Sequence, residues 1–436
     1  MNKSLSILLL LLADFFCTAL SIIFGVIIKN LIYSAGLFFD IERYLGFVLI
    51  YLIMMFLFAY QGIYTRRYDF WHESGIIVKS SFFGLLLTLA FLALTKTNYE
   101  FSRMVFILSF VFIAILLPIV KFMLKHSLFK LGIWQKRARI LGEGSEFEAD
   151  IFSNHYLGYV RARGAAYDTL FISSGKLKKD SLNELIEQNI RDNKEILFTP
   201  ILDTYDFTQA HIFTIFNSRT NLFAIQNSLK SKFNVLLKRM LDLFLIILAL
   251  PLLVPIFLVI MAIMKLKEPN ASIFFSHQRM GLNGKHFGCL KFRSMRENGA
   301  GILQKYLRDN PHEIEYFEKY HKYENDPRIT KFGEFLRKSS LDELPQLINV
   351  LKGEMSIVGP RPCAEYERKD MGQYAELILA VLPGITGLWQ VSGRSDVDFE
   401  TRAKMDVWYM KNWSIWNDIV IIIKTFKVVL KRDGAS

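Results

Sequence analysis

Long apolar runs fill most of the first 120 residues, and they restrict the fold of this chain more than any other feature of its sequence. Each run approaches the roughly 20 residues that a helix needs to cross a hydrocarbon core of about 30 Å. The first run is longer than the apolar core of a signal peptide, so we expect it to remain in the mature protein. We predict a membrane protein that begins with an α-helical bundle at residues 1–125, with four spans at about residues 4–28, 45–64, 76–95 and 104–120.

Basic residues in the short loops indicate the orientation of these spans. One side of the membrane would carry a basic cluster at residues 121–139, and also Lys3, Arg66, Arg67 and Lys79. Because cytoplasmic loops carry an excess of Lys and Arg, this side is predicted to be cytoplasmic, and the rest of the chain begins there. We expect the lysines of residues 121–130 to form a solvated or lipid-facing flank.

Asp14 lies inside the first predicted span. An ionisable group within a membrane is by default a candidate for function. The alternative is a carboxyl group that faces the bundle interior, where it is paired or protonated. The sequence leaves both interpretations open and favours the second.

The segment at residues 135–232 has a different pattern, in which short apolar runs alternate with helical stretches. This alternation predicts a Rossmann-like α/β domain with a small parallel sheet. Gly142 and Gly144 follow the first predicted strand, but Phe147 stands where a dinucleotide fingerprint would have its third glycine. We therefore expect this domain to serve in packing, regulation or the contacts of a homodimer rather than in cofactor binding.

A fifth apolar segment, at residues 240–264, contains Pro251 and Pro255 near its middle and has basic residues on both flanks. Proline removes a helical hydrogen bond and obstructs the preceding turn, so a break is expected there. A re-entrant helix at residues 238–266, which enters and leaves by the cytoplasmic face, would keep both basic flanks on the favoured side. An ordinary fifth span with a proline kink remains the alternative.

Basic residues recur singly beyond residue 267, in loops that contain glycine or proline. The planar guanidinium of arginine binds phosphate oxygens in a bidentate manner, and a rigid turn holds it in place. The basic residues form no continuous stripe and no nucleic-acid-binding motif accompanies them, so we expect no nucleic acid as a partner. A compact polyanion such as a diphosphate is a better candidate than a nucleic acid. The five loops that would contact it contain Arg279, Lys291 with Arg293, Arg328, Arg361, and Arg394.

Two adjacent carboxylates, Asp342 and Glu343, follow this basic series. Ser340 with Glu343 three positions later is a capping box, whereas Pro345 favours a later helix start with Asp342 itself as the N-cap. In either arrangement the carboxylates lie at the positive end of a helix, which attracts a phosphate. An ionised carboxylate there can attack phosphorus, and its neighbour can bind a divalent metal, although simple helix capping remains the alternative.

The last 200 residues or so contain several motifs in a fixed order, and together they resemble the bacterial sugar transferase family, the polyprenyl-phosphate sugar-1-phosphate transferases. Four spans and a middle α/β domain resemble the large members of the family. The chain looks most like the undecaprenyl-phosphate galactose phosphotransferases in its ending, Trp413-Ser414-Ile415-Trp416-Asn417-Asp418 with Arg432-Asp433-Gly434-Ala435. The matching motifs are Lys238-Arg239-x-x-Asp242, Pro255, Gln278-x-x-Gly281-x-x-Gly284, Lys291-Phe292-Arg293-Ser294-Met295, Ser340-Leu341-Asp342-Glu343-Leu344-Pro345-Gln346, Gly359-Pro360-Arg361-Pro362 and Pro383-Gly384-Ile385-Thr386-Gly387-Leu388-Trp389-Gln390.

This resemblance implies a two-step transfer of a hexose 1-phosphate from a UDP-sugar to undecaprenyl phosphate. Galactose 1-phosphate is the hexose 1-phosphate that the resemblance favours. Asp342 would form a covalent phosphosugar intermediate with release of UMP, and Glu343 would bind Mg²⁺. The α/β catalytic domain would occupy residues 235–436. Its interfacial helices would contact lipid at the cytoplasmic face of the bacterial inner membrane. The reaction would start assembly of a surface polysaccharide such as O-antigen. Phosphate or nucleotide contacts are expected from Arg337, Arg361, Arg394, Lys291, Arg293, Arg328 and Gln390.

Three other readings remain open at this stage. The sugar donor could be UDP-glucose or a UDP-N-acetylhexosamine, because a few pocket contacts decide among such donors and motifs do not define them. A non-catalytic membrane sensor of nucleotides would use the carboxylates only as helix caps. A transporter of a lipid-linked intermediate would require five full crossings and a path lined by Asp14.

Overall fold

The computed structural model describes residues 2–33, 41–95, 101–141, 145–162, 166–173, 195–199, 211–215, 220–224, 229, 231–297, 299–314, 323, 326–392 and 399–431. The chain divides into two compact units, Met1–Asp203 and Thr204–Ser436. The first contains apolar helices followed by a parallel sheet, and the second contains a long apolar helix and a mixed α/β region. The predicted domain bounds stay predictions.

The first unit begins with helices whose outward faces are apolar. Serine and threonine hydroxyl groups in them donate to the carbonyl four residues earlier, as Thr18, Ser81 and Ser109 do. Such bonds satisfy a polar group where no water is at hand. The helices are α1 (Asn2–Tyr33), α2 (Ile41–Leu45), α3 (Val48–Tyr60), α4 (Phe70–Leu94) and α5 (Arg103–Lys130).

Five helical segments of the described residues are long and apolar enough to cross a membrane, by length and composition. They confirm the prediction of several apolar helices in the N-terminal part, while the number that actually cross stays a prediction. The segments are Ser4–Ile32, Ile41–Tyr60, Phe70–Leu94, Arg103–Lys130 and Lys232–Lys267.

Four charged side chains are buried together inside this bundle. Lys121 Nζ lies 3.1 Å from Asp14 Oδ2 and 3.6 Å from Glu73 Oε1, and Lys125 is ion-paired with Glu73. The Tyr64 hydroxyl donates to Asp14 Oδ2 at 2.7 Å. Asp14 is therefore paired, as the second interpretation of it expected. The predicted solvated flank is wrong for Lys121 and Lys125, because carboxylates distant in sequence offset their desolvation inside the bundle.

A parallel sheet follows the helices in the same unit. Its strand order is β2-β1-β3-β4, formed by β1 (Lys136–Leu141), β2 (Tyr159–Arg161), β3 (Thr169–Ser173) and β4 (Glu195–Thr199), with α6 (Ser145–Ser153) between the first two strands. This sheet agrees with the predicted alternation of strands and helices. The glycines of residues 142–144 lie outside the described residues, so a Rossmann-like nucleotide turn stays a prediction.

The second unit contains a hairpin of β5 (His211–Ile215) and β6 (Thr220–Ala224), and then the 36-residue helix α7 (Lys232–Lys267). Both Pro251 and Pro255 lie inside α7, which continues through them. A proline in a long helix removes one N–H group and can kink the helix without ending it, so the predicted break at these prolines stays a prediction. The re-entrant path through the membrane stays a prediction.

The mixed α/β region after α7 is built around an antiparallel hairpin of β7 (Phe274–Met280) and β8 (His286–Phe292) and a parallel pair of β9 (Ser356–Val358) and β10 (Gly384–Thr386). Ile260 and Met264 of α7 pack against Phe292 of the hairpin. The helices are α8 (Gly299–Asp309), α9 (Lys331–Lys338), α10 (Gln346–Lys352), α11 (Ala375–Ile378), α12 (Leu388–Val391), α13 (Phe399–Lys411) and α14 (Ile415–Lys431).

A buried polar network joins the first turns of α7 to the C-terminal helices. Lys238 Nζ lies 2.6 Å from Asp418 Oδ2, and the same carboxylate accepts hydrogen bonds from Tyr409 and Trp413. Tyr409 and Trp413 are core residues and not interfacial ones. On α14 the apolar residues Ile423, Phe426 and Val429 are exposed. The interfacial position of that helix, and of the other helices predicted to lie at the interface, stays a prediction.

The buried ion pairs of the bundle generate a stability prediction. We expect Glu73→Gln to lower the free energy of unfolding by about 3–5 kcal/mol, because it leaves Lys125 buried without a counter-charge. The exposed pair of Glu148 with Arg161 supplies the control, since Glu148→Gln should cost about 1 kcal/mol or less. Titration of the full chain in micelles with SDS, followed by tryptophan fluorescence, measures both values.

The double variant Glu73→Gln/Lys125→Met should recover part of the lost stability, because it removes the unpaired charge. Equal effects of Glu73→Gln and Glu148→Gln would contradict the account.

Candidate active site

The hairpin carries the first basic residue of the site. Lys291 lies on β8, directly opposite Phe275 on β7. Asn349 of α10 holds this strand, since its Nδ2 donates to the carbonyl of Gly288 at 2.8 Å and its Oδ1 accepts from the N–H of Leu290 at 3.0 Å. These bonds fix the strand against the helix that follows the two carboxylates.

Asp342 and Glu343 lie in a single turn of 3₁₀ helix between α9 and α10. Ser340 before them has a φ of 54°, in the left-handed region, and its side chain makes no capping hydrogen bond. An N-cap residue has an extended backbone instead, and α10 begins only after Pro345. Both predicted caps, the capping box of Ser340 with Glu343 and the N-cap at Asp342, are therefore wrong, because the chain reverses at Ser340 before α10 starts.

A single lysine contacts both carboxylates. Lys291 Nζ lies 2.5 Å from Glu343 Oε1 and 3.9 Å from Asp342 Oδ2. Asp342 is 7% exposed, whereas the side chain of Glu343 is about one-third exposed. The site therefore combines a buried carboxylate, a more accessible one and a cation between them.

The pKa of Asp342 is raised to about 6, chiefly because burial removes water from the carboxylate. Lys291 and Arg337 lower this pKa, and the negative charge of Glu343 raises it. At neutral pH Asp342 is consequently ionised, but it is more basic than an exposed aspartate. A poorly solvated, ionised carboxylate of this kind is suited to attack an electrophilic phosphorus.

Arg337 is held next to these carboxylates by a serine of the hairpin segment. Its Nε donates to Ser294 Oγ at 2.9 Å. The backbones of Ser294 and α9 touch at Gly333, where any Cβ atom would overlap the Ser294 carbonyl oxygen. The close approach places the last turn of α9, and with it Arg337, beside the hairpin.

Two of the predicted phosphate-binding arginines are engaged elsewhere. Arg293 lies 2.6 Å from Glu268 and 2.7 Å from Glu297. Arg328 forms a bidentate pair with Asp326, at 2.8 Å from Nε and 2.5 Å from Nη2. Both guanidinium groups thus bind carboxylates of the protein in this structure, whereas the charges of Lys291 and Arg337 act on Asp342.

The remaining predicted residues lie in the Gly/Pro-rich loops. Arg361 is exposed and neighbours the buried Asp406, whose pKa is raised to about 8 by burial and lowered in part by Arg361. Gln390 Oε1 is buried and, among the described residues, has no hydrogen-bond partner. Arg394 lies outside the described residues.

The carboxylates also decide how a metal ion could bind. Mg²⁺ takes oxygen ligands and is commonly held by one or two carboxylates together with water and the phosphates of the substrate. In the part of the chain that the structure describes, no three His, Cys, Asp or Glu side chains come together as a metal cluster. Glu343 and Asp342 therefore fit an ion that completes its coordination with substrate, and not a site made by protein alone.

The roles of several residues that shape the site could not be predicted from the sequence, even where the residue belongs to a quoted motif, as Ser294 does. Ser294 and Asn349 each act in the site through a partner more than 40 positions away, at Arg337 and on β8. Asp406 lies in a helical run whose pattern is typical of any buried helix. Only the three-dimensional contacts identify such residues.

Comparison with known proteins agrees with this geometry. The family model described as bacterial sugar transferase matches residues 233–432, which include every residue of the site. The chain is 37% identical over 410 residues to the undecaprenyl-phosphate galactose phosphotransferase of Salmonella typhimurium, with 85% of this chain and 84% of the relative covered.

Two further relatives are similar to this chain over different lengths. The UDP-galactose-lipid carrier transferase of Erwinia amylovora is 34% identical over 404 residues, which cover 85% of this chain and 84% of the relative. The exopolysaccharide production protein ExoY of Sinorhizobium fredii is 48% identical over 198 residues, which cover 45% of this chain and 87% of the relative. The chain therefore belongs to the bacterial sugar transferase family, as an integral membrane phosphotransferase.

Proposed function

We propose that this protein transfers galactose 1-phosphate from UDP-galactose to undecaprenyl phosphate, with release of UMP. The reaction passes through a covalent phosphosugar on Asp342 and takes place at the cytoplasmic face of the bacterial inner membrane. It supplies the first lipid-linked sugar of a surface polysaccharide such as O-antigen. The galactose donor is favoured by relatives whose names specify galactose.

The observation that carries the proposal is the placement of Asp342. It is buried beside Lys291 and Arg337, its pKa is raised to about 6, and it follows a left-handed turn that presents it ahead of α10. A residue that served only to cap α10 would stand directly before that helix, whereas α10 begins only after Pro345. A nucleophilic role explains both the burial and the nearby cations.

The two chemical steps balance without a net proton transfer. In the first, a carboxylate oxygen of Asp342 bonds to the β-phosphorus of the UDP-sugar, and the bond from that phosphorus to the bridging oxygen breaks, so that UMP leaves. In the second, an oxygen of undecaprenyl phosphate bonds to the same phosphorus and the bond to Asp342 breaks. The product is a lipid diphosphosugar, and the aspartate is regenerated.

Negative charge approaches negative charge in both steps, so cations have to stabilise the transition states. Lys291 and Arg337 supply two of them, and we assign Arg361, Arg394 and Gln390 to further contacts with phosphate or nucleotide. We leave Arg293 and Arg328 out of this set, because their guanidinium groups bind carboxylates of the protein.

Glu343 is the residue that we propose to hold Mg²⁺. When bound, the ion would neutralise charge on the diphosphate of the donor. Lys291 keeps Glu343 oriented in the resting protein through their 2.5 Å contact. Glu343 therefore acts by position and charge, while Asp342 provides the nucleophile.

The choice of donor and the nature of the leaving group can be tested together. We expect purified protein with undecaprenyl phosphate and Mg²⁺ to release UMP faster from UDP-galactose than from UDP-glucose or UDP-N-acetylhexosamines. Chromatography of the nucleotides measures this directly. Release of UDP would contradict phosphosugar transfer, and a faster reaction with another donor would contradict the assignment of galactose.

Replacement of the nucleophile supplies the second prediction. Asp342→Asn keeps the shape of the side chain but removes its charge, and we expect UMP release to fall on the order of 10⁴-fold or more. Glu365→Gln, at an exposed carboxylate that pairs with His286, is the matched control and should retain full activity. Turnover by Asp342→Asn near the rate of the control would exclude the covalent route.

The raised pKa of Asp342 predicts a pH dependence. Because only the ionised carboxylate attacks, kcat/KM should fall as the pH decreases through about 6. Lys291 lowers this pKa, so Lys291→Met should move the acid limb to a higher pH.

Lys285→Met, at an exposed lysine in the turn of the same hairpin, should leave the limb unchanged. Profiles of kcat/KM for the UDP-sugar between pH 4.5 and 8 provide the measurement. A limb in Lys291→Met that stays at the wild-type position, or moves to a lower pH, would contradict this role of the lysine.

A further inference from the structure

The face of the hairpin that carries Lys291 also carries an aromatic pair that the proposed chemistry does not use. Residues directly opposite each other on paired strands have their side chains on the same face, with Cβ atoms about 4.5–5.5 Å apart. Phe275 is opposite Lys291, and His277 is opposite Cys289. Phe275 and His277, which we call the aromatic shelf, therefore lie on the Lys291 side of β7.

The aromatic shelf is open where the rest of this face is covered. Phe287 and Cys289 on β8 are buried against α10, whereas Phe275 is 51% exposed and His277 is also exposed. The two rings have centroids 6.2 Å apart with an interplanar angle of 37°. The shelf is thus a continuation of the active-site surface, two strand residues long, or about 7 Å.

We propose that the aromatic shelf binds the pyrimidine base of the sugar nucleotide, with the base stacked on Phe275 and its polar edge against His277. This inference rests on the proposed function, because it assigns part of the same substrate. Every nucleobase has a π face, and stacking on an aromatic side chain is a common way to hold one.

The direction of the reaction supports the base over the sugar as the occupant. In-line displacement places the leaving nucleotide on the far side of the phosphorus from the attacking oxygen. Lys291 contacts both Asp342 and Glu343, and the shelf begins at its cross-strand neighbour. A diphosphate bound at Lys291 would therefore have its transferred sugar phosphate toward Asp342 and its nucleoside toward the shelf.

The chemistry of His277 suits the edge of a pyrimidine. Partial desolvation and the nearby charge of Arg279 lower the pKa of His277 below its ordinary value, which favours the neutral imidazole. A neutral imidazole has one N–H donor and one nitrogen acceptor, and uracil presents both kinds of group on its edge. On the opposite face of β7, Phe274 stacks on Phe292 with ring centroids 5.6 Å apart, and it is less exposed than Phe275.

The test compares two simple ligands on the resting full-length protein. UMP contains the base, and ribose 5-phosphate lacks it. The dissociation constant of ribose 5-phosphate divided by that of UMP therefore isolates the contribution of the base. We expect Phe275→Leu to reduce this ratio by about 5- to 150-fold, the range for one base stacked on an aromatic ring. Phe275→Trp should preserve it, and His277→Ala should reduce the preference for UMP over CMP. Isothermal titration in nanodiscs measures all of these constants.

Phe274→Leu is the matched control, since it changes the neighbouring ring on the opposite face and should leave the ratio unchanged. An unchanged ratio in Phe275→Leu would overturn the proposal. If Phe275→Leu weakened the binding of galactose 1-phosphate and not that of UMP, the shelf would bind the sugar, and the proposal would also be overturned. A higher KM for undecaprenyl phosphate with unaltered UMP affinity would assign the ring to the lipid and would equally overturn it. UMP binding needs no phosphoryl transfer, so these outcomes are independent of whether Asp342 forms a covalent intermediate.

Discussion

The contact of Lys291 with Asp342 and Glu343 is the interaction on which the rest of the active site depends. The burial of Asp342 and the adjacent charge of Glu343 both disfavour the ionised form of Asp342, and the charge of Lys291 opposes them. The Lys291 Nζ lies 2.5 Å from Glu343 and 3.9 Å from Asp342. The hairpin, the amide of Asn349 and the left-handed turn at Ser340 all serve to bring the lysine and the two acids together.

The long helix α7 combines two roles that ordinarily belong to different parts of a protein. Its first turns contribute Lys238 and Asp242 to buried polar contacts with Asp418 and Ser356, so they belong to the core of the second unit. Its middle exposes large apolar side chains such as Leu248 and Leu252, which suit a hydrocarbon environment. In the proposed function this continuity lets a soluble sugar nucleotide and a membrane-bound lipid phosphate meet at one carboxylate.

Features that depend on local pattern could be predicted from the sequence, and features that depend on distant partners could not. Apolar runs of spanning length predicted the long helices, and the ordered motifs predicted the family. The capping of Asp342 was predicted wrongly, because the left-handed backbone of Ser340 has no marker in a sequence where that conformation usually belongs to glycine. The path of α7 at Pro251 and Pro255 is a similar case, because a proline signals a lost hydrogen bond but not the neighbours that decide how far the helix bends there.

Charged residues show the same limit most clearly. Lys125 looks like a solvated flank until Glu73, 52 positions earlier, is brought against it inside the bundle. Arg293 is of a residue type that commonly binds phosphate, yet its guanidinium group is ion-paired with Glu268 and Glu297. A sequence names the charges of a site, but only the fold decides which of them face each other and which remain available to a substrate.

The most direct measurement of the central claim is the mass of the protein during turnover. Full-length protein would be mixed with UDP-galactose and Mg²⁺ without a lipid acceptor, quenched rapidly, and analysed intact and after proteolysis. The account predicts a mass increase of one hexose phosphate, located on the peptide that contains Asp342. An unmodified peptide in protein that releases UMP at its normal rate under the same conditions would contradict it.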